Sequence, residues 1–298
     1  MLRTLVFASG SLAEAGKATT SIAAMARAIA AALTPLKAGG EELDLGALEP
    51  YLEFLKSGGL EGVLLLGTTG EGIALSLSER KEAISNAVRG PLPILAHCGA
   101  QTTADTVALA EHAAAEGVEA VAVIAPPYFL LDEDALLAHF TTAAHACAPL
   151  PFYAYELKAA SGYAIPVSVV ERLRDVADNL VGMKVSDAPF DAVAPYMLDG
   201  LDIFIGAESV IGQGLAAGAA GAVSGLASAF PEVVVEAVRT GESTAAGELR
   251  KFVDGFPRHA ALKAVVKAKG VPMNEDVRAP LRGLTDAERD ELLAAVLT

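Results

Sequence analysis

Short apolar runs bounded by Gly or Pro alternate along this chain with longer stretches in which apolar residues recur every three or four positions. Runs of the first kind read as buried strands, and the 3.6-residue recurrence reads as amphipathic helix. Strands are expected at Ala28–Pro35, Gly62–Leu66, Leu92–His97, Ala120–Ala125, Phe152–Tyr155, Asn179–Ser186, Asp202–Gly206 and Gly221–Gly225. Helices are expected between them: Leu45–Ser57, one opened by Ser78, Thr102–Glu116, Asp132–Ala148, Pro166–Val176 and a short one at Gly214–Ala219. None of the connections has hairpin chemistry, so the strands should run parallel with crossover helices. Eight such units in one run favour a closed (β/α)8 barrel over an open doubly wound sheet.

Four more helical stretches follow strand eight: Glu232–Arg239, Ala245–Phe256, Arg258–Lys269 and Asp286–Leu297. They exceed what a barrel needs and are expected to form an appended C-terminal helical segment. The expected division is an N-terminal extension, poorly ordered, over 1–24, a TIM barrel over 25–228 and the helical segment over 229–298. Met25 is an alternative start for the fold proper.

Composition narrows the class. Hydrophobic residues make up 53% of 298 residues, enough for a large core, and the formal net charge is −15. An acidic chain of this kind is poorly suited to nucleic acid or an anionic membrane. An anionic substrate would need a locally electropositive pocket. Cys98 and Cys147 offer neither a disulfide framework nor metal spacing, so a reducing cytoplasm is the default. The apolar run Leu5–Ala8 is too short for a signal peptide, and Ile22–Pro35 is too short to span a bilayer.

The chemistry centres on Lys184, set in the middle of the sixth apolar run. A lysine is rarely buried without a partner or a task. Burial disfavours an ammonium, and a neutral amine is a nucleophile for carbonyl carbon, the first step of Schiff-base chemistry. The plainer alternative is a strand-end lysine whose ammonium reaches water. Barrel active sites lie at the C-terminal ends of the strands. Those ends carry Thr68 and Thr69, Tyr128, Tyr155, Lys184, Gly206 with Glu208, and Ser224. Such a mouth is rich in hydroxyls around one lysine and poor in metal ligands, so no metal and no separate cofactor are expected. His97 and Cys98 end strand three, but neighbouring strand residues point to opposite faces, which disfavours a thiol–imidazole pair.

Two glycine-rich turns need separate readings. Gly67-Thr68-Thr69-Gly70-Glu71-Gly72 lacks the Gly-Lys-Ser/Thr ending of a phosphate loop. Its amides and hydroxyls suit an anion, although a tight strand-to-helix turn explains the glycines equally well. Gly212-Gln213-Gly214-Leu215-Ala216-Ala217 formally matches a dinucleotide fingerprint, but it lies in the seventh unit rather than the first.

With these residues placed, the chain from about Ala28 onward resembles the dihydrodipicolinate synthase / N-acetylneuraminate lyase family of pyruvate-handling class I aldolases. The likeness rests on Gly67-Thr68-Thr69-Gly70-Glu71, Pro126-Pro127-Tyr128, the spacing from Tyr155 to Gly182-Met183-Lys184, Gly221-Ala222-Val223-Ser224-Gly225 and Val277-Arg278-Ala279-Pro280-Leu281. It implies a (β/α)8 barrel with C-terminal helices. It also implies that Lys184 forms a covalent imine with pyruvate or a related 2-oxo acid, and that Tyr155 shuttles protons. Thr68 and Tyr128 would link Tyr155 to solvent. The surroundings of Gly67, Thr69, Gly206, Glu208, Val223 and Ser224 would bind substrate. In such proteins the relay tyrosine often comes from a neighbouring subunit, which implies a homotetramer built as a dimer of dimers.

Departures from the pattern bear on the reaction. Tyr155-Glu156-Leu157-Lys158 stands where the family has Tyr-Asn-x-Pro, and Val185-Ser186 stands where Glu-Ala is usual. The synthase branch carries an arginine in the stretch that here reads Ala159-Ala160-Ser161-Gly162. The expected function is therefore an aldolase or lyase that makes or breaks a C–C bond between a 2-oxo acid and an aldehyde, as in sugar acids. The alternatives are dihydrodipicolinate synthase, with Lys158 in place of the arginine, and a non-catalytic homologue that binds a 2-oxo acid.

Overall fold

The computed structural model describes residues 26–297; the expected N-terminal extension lies outside them. Eight parallel strands close into a barrel: β1 (Arg27–Ala31), β2 (Gly62–Leu65), β3 (Ile94–His97), β4 (Ala120–Ile124), β5 (Phe152–Glu156), β6 (Leu180–Val185), β7 (Asp202–Ile205) and β8 (Gly221–Ser224). β1 pairs with both β2 and β8, which closes the ring. The strands are nearly continuous Val, Ile, Leu and Ala because both faces are covered, by helices outside and by packed side chains inside. Ile29, Leu64, Leu95, Tyr153, Phe204 and Val223 fill the barrel interior below its mouth.

The helices are α1 (Leu45–Ser57), α2 (Leu77–Ala87), α3 (Thr103–Glu116), α4 (Glu133–Cys147), α5 (Lys158–Ser161), α6 (Val167–Val176), α7 (Phe190–Val193), α8 (Ile211–Ala216), α9 (Pro231–Thr240), α10 (Thr244–Val253), α11 (Arg258–Ala268) and α12 (Asp286–Val296). α2 begins earlier than the sequence suggests. Ser76, not Ser78, is its cap, and Ser76 and Glu79 exchange hydrogen bonds in a capping box. The short helix after β7 likewise begins at Ile211, ahead of the glycines. Gly214 packs on β7: a Cβ there would come within 2.4 Å of Ile205, so packing alone accounts for that glycine.

A boundary at residue 228 places α9 with the appended segment, and α9 packs against β1 and β8. α10 packs against the turn Glu208–Val210 after β7, and α11 runs back beneath the β2 loop. None of the described helices is long and apolar enough to cross a membrane.

Candidate active site

The β5–β6 register pairs Tyr155 with Lys184 and Tyr153 with Gly182. Residues paired across parallel strands project on the same side, so the tyrosine and the lysine emerge together at the barrel mouth. Lys184 is only 6% exposed, with its Nζ 3.8 Å from the centre of the Tyr155 ring. It donates a 2.6 Å hydrogen bond to Ser186 Oγ. Tyr155 is buried, and its hydroxyl lies 3.3 Å from Thr68 Oγ1. Burial alone would raise the Tyr155 phenol. The Lys184 charge, with hydrogen bonds from Thr68, Lys184 and Ser186, outweighs it and holds the phenol below its usual value of 10.

These groups line a cavity of about 630 Å³. Of the residues singled out from sequence, Lys184, Tyr155, Thr68, Thr69, Gly206 and Glu208 reach its wall. The amides of Thr68 and Thr69 donate to no other group among the described residues, so two backbone N–H groups stand at the mouth. His259 of α11 holds the Thr68 carbonyl at 3.0 Å from its Nε2. Gly206 must be small: a Cβ there would lie 2.0 Å from Ser186 Oγ.

Other expected residues fall elsewhere. Val223 belongs to the packed barrel interior. Ser224 donates to Glu208 Oε1 at 2.6 Å and accepts from the Ala227 amide, so its hydroxyl is spent inside the protein. Glu208 touches the cavity, but its oxygens are taken by Ser224, by the Leu226 amide at 3.0 Å and by Arg250 at 2.8 Å. These bonds anchor the wall on Glu208. Gly67 faces a second, smaller cavity of about 270 Å³ on the far side of Thr68. Tyr128 is 86% exposed, edge-on to Phe129, with φ +84°. Within one chain it does not line the lysine cavity. Lys158 is exposed and absent from the wall, where Ala159 and Ala160 stand instead.

Cys98 and His97 make no reactive pair. Burial pushes the Cys98 thiol up to about 12. Burial, with Arg80 and Lys184 nearby, lowers His97 to about 3, so its ring is neutral and donates from Nδ1 to the Leu66 carbonyl. Among the described residues no group of three His, Cys, Asp or Glu side chains could hold a metal ion.

Among the wall residues that sequence reading did not assign to the site are Ser186, Arg250, Lys251 and Arg258. Ser186 sat among turn residues, and nothing in its spacing marks a contact with Lys184. Arg250, Lys251 and Arg258 come from α10 and the start of α11, where charges at helical spacing look like an ordinary solvated face.

A DapA-like lyase of Halobacterium salinarum is 34% identical over 270 residues, which span 85% of this chain and 88% of that one. A 4-hydroxy-tetrahydrodipicolinate synthase of a Synechococcus strain is 32% identical over 94% of this chain and 97% of its own. Among solved structures, the Proteus mirabilis N-acetylneuraminate lyase superposes with a TM-score of 0.80 at 29% identity, covering 90% of this chain and 96% of that one. The model of the dihydrodipicolinate synthetase family matches residues 24–298, from the first barrel strand through the last helix, and the chain belongs to that family.

Proposed function

We propose that this protein is a Schiff-base-forming aldolase or lyase acting on pyruvate or a related 2-oxo acid. The observation that carries the reading is the Lys184–Tyr155–Thr68 arrangement: a buried amine over a phenol that is itself hydrogen-bonded toward the mouth. The Lys184 amine would add to the 2-oxo carbon. The carbinolamine would lose water to give an iminium, Tyr155 would take a proton from the adjacent carbon, and the C–H electrons would flow into the iminium to leave an enamine. The enamine would add to an aldehyde carbon, and water would then hydrolyse the product imine and restore the amine. The reverse sequence cleaves the same bond. Tyr155, held below its usual pKa, would carry the protons of dehydration and hydrolysis, with Thr68 as its next neighbour. The free Thr68 and Thr69 amides suit the substrate carboxylate.

Ala159 and Ala160 on the wall favour a bulkier, hydroxylated aldehyde over aspartate semialdehyde, and Lys158 is not positioned to replace the synthase arginine. The exposed run Tyr128-Phe129-Leu130, together with Ile73 and Leu281, suits a contact between copies in a homo-oligomer. There Tyr128 could approach a neighbour's relay. Borohydride reduction with pyruvate, followed by peptide mass mapping, tests the chemistry. The expected result is the reduced adduct on Lys184. An unmodified Lys184 would remove the mechanism.

A further inference from the structure

The cavity wall carries four cationic side chains, Lys184, Arg250, Lys251 and Arg258, against two carboxylates, Glu208 and Asp254. That is an excess of two positive charges in a chain whose formal net charge is −15. One anion, the carboxylate of the 2-oxo acid, balances the nitrogen of Lys184. The rest of the excess sits at the opposite, α10–α11 side of the mouth and has no partner in the chemistry so far described.

Its geometry is that of a built site. Glu208, 2% exposed, fixes Arg250 Nη1 at 2.8 Å, and Asp254 fixes Arg250 Nε at 2.8 Å. The guanidinium is therefore held from two sides, and its Nη2 has no hydrogen-bond partner among the described residues. Asp254 also tethers Arg258, more loosely, at 3.4 Å. Lys251 makes no ion pair among the described residues. Gly247 lets α10 lie close on the loop after β7, since a Cβ there would come within 3.1 Å of Ser209. Arg250 and Lys251 are thus presented by a helix seated directly on the barrel, and Arg258 stands beside them at the start of α11.

Resting on the aldolase reading above, we infer that Arg250, Lys251 and Arg258 form a subsite for a second anion, the terminal carboxylate or phosphate of the aldehyde half of the substrate. Arg250 offers a preorganised donor, and Lys251 and Arg258 supply charge that can close on the ligand. The small side chains of Ala159 and Ala160 leave the cavity open for the intervening hydroxylated carbons.

Calorimetric titration of the full chain with inorganic phosphate and with succinate tests the subsite without any turnover. Wild type should bind at least one of them, and the double variant Lys251→Gln/Arg258→Gln should bind it on the order of 10-fold more weakly, as expected for lost charged hydrogen bonds. Lys251→Arg, which keeps the charge, should retain binding. In aldol assays with pyruvate, the kcat/KM ratio of glyceraldehyde 3-phosphate or succinate semialdehyde to neutral glyceraldehyde should fall by a similar factor in the double variant. A preference for the phosphate arm assigns a phosphorylated aldehyde, and a preference for the succinate arm assigns a carboxylated one. Equal affinity in wild type and double variant, or no binding to wild type, overturns the subsite. Borohydride trapping of pyruvate separates the two ideas: a trapped lysine with an inert rim sinks the subsite alone, whereas anion binding without trapping sinks the aldolase reading alone.

Discussion

Glu156, buried at the end of β5 next to Tyr155, feels the charge of Asp187 in the turn after β6. Burial is the main force that pushes the Glu156 carboxyl up, to about 8, and the Asp187 charge adds to it. Glu156 Oε2 accepts the Ile165 amide at 2.7 Å, while Oε1 has no partner. A proton on Oε1, donated to Asp187, satisfies that buried atom. Burial beside Asp187 therefore favours the protonated Glu156 carboxyl. Glu156 ties β5 to the turn after β6, and the Lys158 amide binds Asp187 from the same loop.

This pair sets a pH dependence with a definite sign. The unfolded carboxyl titrates near 4.5 and the folded one near 8, so the native state binds the extra proton between those values. Its contribution to stability is fully present below about 4.5 and is lost as pH rises through about 8. Glu156→Gln keeps a donor and removes the titration. Urea unfolding from pH 5 to 9 should show wild type weakening relative to Glu156→Gln; parallel curves would mean that Glu156 is ionised in the native protein.

Tyr155→Phe keeps the ring under Lys184 and deletes the hydroxyl. The expected loss is about 10²–10⁴-fold in rate, the usual range for a general acid–base group. Thr68→Val should also slow turnover while leaving the unfolding midpoint nearly unchanged. A Tyr155→Phe rate close to wild type would shift attention to Ser186 as the proton carrier.

Ser186→Ala removes the 2.6 Å partner of Lys184 Nζ. A lost hydrogen bond to a charged group corresponds to a rate change on the order of 10-fold. Gly206→Ala attacks the same contact from the other side, because its Cβ would collide with Ser186 Oγ at 2.0 Å. It should cost about 1–3 kcal/mol of stability through overpacking as well as slow the reaction. If Gly206→Ala were as active and as stable as wild type, the close approach of these strands would be misread.

Lys263 and Glu71 form an ion pair at 2.6 Å with both side chains fully buried. Glu71 also accepts the Arg278 amide at 2.7 Å, and Lys263 donates to the Asp276 carbonyl. Lys263→Met would leave the Glu71 carboxylate buried without its cation, at a cost of about 3–5 kcal/mol. The double variant Lys263→Met/Glu71→Gln should recover part of that loss. A single variant as stable as wild type in chemical denaturation would contradict this account.

The barrel was legible because strand endings and crossover helices follow from periodicity and turn chemistry alone. Lys184, Tyr155 and Thr68 were legible because a lysine inside an apolar run and hydroxyls at strand ends are both conspicuous. The residues that were lost share a different cause. Ser224 and Glu208 look like mouth residues, but Ser224 donates to Glu208, and Glu208 also accepts from Arg250, pairings between positions far apart in sequence. Arg250 and Lys251 belong to α10 and Arg258 to α11, and no local pattern encodes the docking of α10 on the β7 loop or of α11 on the β2 loop. The role of Tyr128 depends on what surrounds it, since the loop holds it away from its own lysine.

The Glu71–Lys263 pair has a consequence for how the protein responds to its ligand. Glu71 closes the same five-residue turn whose Thr68 and Thr69 line the cavity, and Lys263 lies in the middle of α11. Whatever orders that turn also favours the docked position of α11, and by reciprocity a loosened α11 weakens the grip on the ligand. Pyruvate in the barrel should therefore slow amide hydrogen exchange along α11, a helix on the outside of the mouth, as strongly as it does at the threonines themselves.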